Sequence, residues 1–83
     1  MNELDLRTPD VDGYLPDLSL MGTKWRHSGN QQVYLIFAFV WNCNEDRWAV
    51  VHARAGSPIF FTRTVQNFFG LREGVPRYER VPN

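Results

Sequence analysis

The spacing of apolar positions divides the chain near residue 22. Beyond it the pattern is that of short β-strands separated by turn residues. Arg47–Arg54 alternates strictly, placing Trp48, Val50 and His52 on one face and Ala49, Val51 and Ala53 on the other. Gln32–Trp41 is rich in β-branched and aromatic residues at odd and even positions alike. That predicts a central strand covered on both faces. Shorter β-type runs stand at Lys24–His27, Ile59–Arg63 and Pro76–Val81. Turn chemistry separates them: Ser28-Gly29-Asn30, the polar loop Asn42–Asp46, Ala55-Gly56-Ser57-Pro58, and a loop over Gly70–Gly74. Thr64–Phe69 reads as one helical turn, with Thr64 as its N-cap.

Five strands with a helical turn before the last predict a mostly β domain. The expected architecture is a small five-stranded SH3-like barrel or a strongly bent antiparallel sheet, since closure or bending protects the edges of so small a sheet. The 83 residues suffice for one domain and one modest core, which three Trp, three Tyr and six Phe would fill. No repeat or low-complexity tract interrupts the pattern.

Residues 1–21 differ from the remaining domain, 22–83. They contain Pro9, Gly13 and Pro16 and frequent Asp, yet also Leu4, Leu6, Val11, Tyr14, Leu15, Leu18 and Leu20, too many apolar side chains for a solvated tail. Charge sharpens the contrast. Residues 1–20 hold five carboxylates against Arg7, a net −4, and residues 21–83 hold eight Lys or Arg against four carboxylates, a net +4. An acidic arm is therefore expected to pack on a basic body and cover part of it, with a helical turn near Pro16–Met21. Leu15, Leu18 and Leu20 are the expected anchors rather than Asp10 or Asp12, because burying a Leu contributes about 1.5–3 kcal/mol and an exposed ion pair about 0–1.

Most chemistry is excluded by what is missing. Cys43 is the one cysteine, so no internal disulfide forms, and its acidic neighbours Glu45 and Asp46 disfavour a reactive thiolate. His27, His52 and Cys43 show no metal-ligand spacing, so no metal is expected. There is no phosphate-binding loop, nucleotide-fold glycine motif or nucleophile elbow, so neither catalysis nor a cofactor is expected. Met1–Asp10 is acidic and lacks the apolar core of a secretory leader, and the longest apolar run, Val33–Trp41, is too short to span a membrane. A cytoplasmic protein is the expectation.

Binding chemistry is better represented. On a strand, Trp25 and His27 face one way, Lys24 and Arg26 the other. Seven of the eight basic residues of the body are Arg. Arg forms bidentate contacts with phosphate and stacks on aromatic faces; the same residues can instead pair with local carboxylates. The candidate ligand-binding set is Trp25, Arg26, His27, Arg63, Arg77 and Tyr78, drawn from three separate segments; a closed barrel would bring its first and last strands together.

Trp25-Arg26-His27, Gly29, Tyr34, Arg47–His52, Phe60–Arg63, Phe68 and Pro76-Arg77-Tyr78 occur in an order that resembles the small bacterial and phage domain of unknown function 1653, over residues 22–82. The resemblance implies a small β fold and a candidate surface. It implies no activity. The expected function is a non-catalytic binding module for an anionic ligand, a nucleotide or single-stranded nucleic acid. The alternative is a protein–protein module, a phage-encoded modulator or inhibitor of a host protein.

Overall fold

The computed structural model describes residues 5–82. Its strands are β1 (Lys24–His27), β2 (Val33–Asn42), β3 (Arg47–Arg54), β4 (Phe61–Thr64), β5 (Leu71–Arg72), β6 (Val75–Pro76) and β7 (Tyr78–Val81). A one-turn helix, α1 (Val65–Phe68), follows β4, and a 3-10 turn covers Leu18–Leu20 in the arm. The main sheet is antiparallel in the order β4-β3-β2-β1-β7. β5 and β6 form a separate hairpin.

The sheet is bent but open, so the closed-barrel form of the expectation does not hold. Among the described residues, β4 and β7 are the two edges, with no strand paired on their outer sides. Their side chains nonetheless meet: Arg63 Nε of β4 donates to the Tyr78 hydroxyl of β7 at 3.3 Å, and that hydroxyl lies 3.0 Å from His52 Nε2 of β3. In a flat sheet three strand spacings would separate β3 from β7 by about 14 Å. The sheet is therefore curled into a trough. Phe37 contributes to the curl. The β2–β3 register slips between Ile36 and Ala38, leaving Phe37 as a bulge, and bulges increase twist. The slip also turns Ile36, Phe39 and Trp41 toward the core.

The concave face holds the core, built from Tyr34, Ile36, Trp48, Val50, Val65, Phe68 and Tyr78. α1 plugs one end of the trough. Thr64 caps it by accepting from the Asn67 amide at 3.1 Å, as the sequence predicts. The cap aims Phe68 inward, where it is fully buried and stacked on Tyr78 with ring centroids 4.0 Å apart. The opposite face of β2 is not covered as expected: Phe37 and Val40 are 45% and 40% exposed. The segment read as a Gly70–Gly74 loop holds β5 and the turn of the β5–β6 hairpin, formed by Glu73 and Gly74, both at positive φ, while Pro76, read as the start of the closing strand, ends β6.

The arm is fastened to the start of β3, by different residues from those expected. Asp10 is buried, and its carboxylate accepts from the amides of Asp12, Tyr14 and Trp48. Asp12 pairs with Arg47 at 2.7 Å, and the Trp48 indole N–H donates to the Thr8 carbonyl at 2.7 Å. Leu20 packs on the core, but Leu15 and Leu18 are 48% and 46% exposed. The physical reason is that the Trp48 amide is buried and needs an acceptor, which a carboxylate supplies and a leucine cannot.

Candidate functional site

Within the trough, the curl leaves a cavity of about 410 Å³ lined by His27, Asn30, Tyr34, His52, Phe61, Thr62, Arg63 and Tyr78. Five strands and one turn supply these side chains. The β1–β7 register sets His27 opposite Tyr78, and the β3–β4 register sets His52 opposite Phe61 with Arg63 beside Val50. The rings pack edge to face, with Tyr34–His52 at 5.6 Å, His27–Tyr78 at 5.0 Å and Tyr34–Tyr78 at 5.8 Å.

Hydrogen bonds fix the inner layer. The Val50 carbonyl only accepts, so His52 Nδ1 carries the proton and donates to it at 3.0 Å. His52 Nε2 then accepts from the Tyr78 hydroxyl, whose oxygen accepts from Arg63 Nε. Burial holds the His52 imidazole below its ordinary value of 6.5, which keeps this neutral arrangement. Burial likewise pushes the Tyr78 phenol up, against the opposing influence of Arg63.

His27 is held by its own turn. Its Nδ1 accepts from the amides of Gly29 at 3.0 Å and Asn30 at 3.3 Å, which leaves Nε2 as the protonated nitrogen. Gly29 is required for this approach: a Cβ there would come within 2.8 Å of the imidazole and 3.0 Å of the Arg72 guanidinium. Burial, followed by repulsion from Arg63, Arg72 and Arg77, lowers the His27 pKa from 6.5. On the far side, the Asn30 amide donates to the Tyr34 hydroxyl at 2.9 Å.

The cavity is rich in donors, and among the described residues no carboxylate lines it. Arg63 makes no ion pair among the described residues; its other contact is with Asn67 Oδ1 at 2.8 Å. A larger, shallower hollow of about 530 Å³ lies along Gln31–Val33 and Arg54–Ser57. It contains no ring and only one charged side chain, so the smaller cavity is the better candidate site.

Of the six residues expected to form a site, the structure brings together His27, Arg63 and Tyr78. Trp25 is a packing residue, edge-on to Phe68 at 5.9 Å and Phe69 at 5.4 Å, with its indole N–H donating to the Thr23 hydroxyl. Arg26 is exposed on the opposite face of β1, as strand alternation requires. Arg77 donates to the carbonyls of Asn67 and Leu71, fastening the end of α1 to the small hairpin. The sequence reading missed Asn30, Tyr34, His52, Phe61 and Thr62 as lining residues. For His52 a signal existed, since alternation placed it with Trp48 and Val50 on an apolar face.

Among the described residues no three His, Cys, Asp or Glu side chains converge as a metal site requires, and no helix is long and apolar enough to cross a membrane. No family model, curated protein or solved structure matches this chain.

Proposed function

We propose that this chain is a non-catalytic binding module for an anionic ligand with a flat aromatic part, a nucleotide or single-stranded nucleic acid. The observation that carries the reading is Arg63, a guanidinium with no carboxylate partner among the described residues, in the wall of an aromatic cavity. Phosphate would meet Arg63 and the His27 Nε2–H, while Phe61, 43% exposed, offers a ring face for a base. The engagement of both nitrogens of His52, with no carboxylate among the described lining residues to drive a proton transfer, favours binding over catalysis. Isothermal titration with nucleotides and short oligonucleotides tests the reading. Binding that weakens as salt rises is the expected result; no heat at low salt overturns it.

A second reading, a module that docks on a host protein, is favoured by one feature of the convex side. Phe37 and Phe60 pack edge to face at 5.1 Å and are 45% and 54% exposed, beside the unpaired edge of β4. Exposed apolar pairs at a sheet edge suit a protein partner. A Phe37→Ser, Phe60→Ser variant that still captures the same partner from host lysate would count against it. The resemblance to the bacterial and phage domain fits either reading and adds no ligand.

A further inference from the structure

We infer that the cavity takes a terminal phosphate group, the monoester end of a free nucleotide or of a single strand, rather than an internal phosphodiester. The inference rests on the anion-binding reading above and follows from the shape and donor set of the site.

The first argument is the floor. His52, Tyr78 and Tyr34 are only 1%, 5% and 7% exposed, and behind them lies Phe68, fully buried. Phe68 is stacked on Tyr78 and edge-on to His52 at 5.0 Å, so the inner layer rests on solid core. On the α1 side the Arg63–Tyr78 hydrogen bond joins the two edges of the sheet. The cavity therefore has a closed inner end. An internal phosphodiester carries chain on both sides and needs two exits; a terminal group needs one.

The second argument counts donors. A guanidinium has five N–H groups, and two of those on Arg63 are engaged, by Tyr78 and Asn67. The rest have no protein acceptor among the described residues. The His27 Nδ1 contacts leave Nε2–H as a donor. Tyr34 accepts from Asn30, which leaves its own hydroxyl proton to give. These donors come from β4, β1 and β2 and line one concavity. A monoester presents three acceptor oxygens and nearly two charges. A diester presents two free oxygens and one charge, and would leave donors unpaired, which is costly in a partly dry site.

The test compares one short oligonucleotide in four forms: 5′-phosphorylated, 3′-phosphorylated, unphosphorylated and circular. A nucleoside monophosphate and inorganic phosphate are titrated beside them at low salt. The expected result is that at least one terminally phosphorylated form binds about tenfold or more tightly than the unphosphorylated and circular forms, the worth of one charge-assisted contact. A monophosphate as tight as the phosphorylated strand identifies the free nucleotide as the source; a tighter strand identifies a strand end. Equal binding of circular and phosphorylated forms overturns the inference and leaves anion binding standing. No binding by any of them overturns both. His27→Asn supplies a second check, because its amide oxygen replaces Nδ1 as acceptor for the turn while the Nε2 donor is lost. It should still melt cooperatively, at a somewhat lower Tm because the edge-to-face contact with Tyr78 is lost, and below that Tm lose most of the terminal-phosphate preference; an unchanged preference would also count against the inference.

Discussion

β3 connects two polar neighbourhoods of opposite kind. Near its start, at Arg47 and Trp48, charge is balanced within the fold: Asp12 meets Arg47, and Asp10 receives three backbone amides. Toward its far end, at His52, the charge of Arg63 meets only the neutral oxygens of Tyr78 and Asn67. Both regions use residues from segments distant in sequence, and both are partly buried. They differ in where the counter-charge comes from. A paired charge explains how the arm is held and asks for no ligand. A cation facing a donor-rich, aromatic cavity has no such internal explanation, and in the reading proposed above its complement is an anion from outside.

Substitutions at the two ends should therefore separate stability from binding. Asp10→Ala is expected to have the largest effect on stability, about 2–3 kcal/mol, because the buried Trp48 amide loses its acceptor. That corresponds to a fall in Tm of roughly 4–8 °C per kcal/mol for a domain of this size. Anion affinity measured below the new Tm should be unchanged. Arg63→Gln is expected to reverse the pattern, with a roughly ten- to hundredfold loss of anion affinity, from a charged hydrogen bond worth about 1.5–3 kcal/mol, and a smaller fall in Tm. If the two variants affected both properties alike, the division between the two ends would fail.

The pH dependence sharpens the comparison at the cavity end. His52 and His27 both have pKa values lowered by folding. Between the folded value and 6.5 the unfolded chain binds protons that the folded chain does not. Stability should therefore be level above about pH 7 and fall as pH drops through the unfolded value near 6.5. The fall should stop below the folded values. His52→Gln, which keeps an acceptor for Tyr78, should make the slope shallower; urea titrations from neutral to mildly acidic pH would show it. A slope unchanged in that variant would place its origin elsewhere. The smallest effect is expected from Arg47→Gln. Its pair with Asp12 is partly solvent-exposed, so the loss of stability should be the smallest of the set, diminish in high salt and leave anion binding untouched.

How far these regions were legible in the sequence follows from the range of the interactions involved. β1 and β3 have the predicted bounds because alternation and flanking turn residues are local signals. β2 begins one residue late, at Val33, and β4 two residues late, at Phe61. The β5–β6 hairpin was invisible, since two-residue strands have no period to detect. At the site, His27, Arg63 and Tyr78 were legible as residue types that suit an anion. Asn30 and Tyr34 were not, because their contact depends on the fold of the turn after β1. Alternation placed His52 on the correct face, but its role emerges only when the curl brings Tyr78 to it. The arm shows the opposite error. Counting apolar residues favoured Leu15 and Leu18, whereas an acceptor for one buried amide selected Asp10.

The most direct test of the anion site is a two-dimensional amide NMR titration with a nucleoside monophosphate at low salt, repeated at high salt. The account predicts that the amide shifts concentrate at His27, Gly29, Asn30, Phe61, Thr62 and Arg63. They should leave Asp12, Arg47 and Trp48 in place and shrink as salt rises. Shifts absent from the cavity, or centred on the arm and the start of β3, would contradict it.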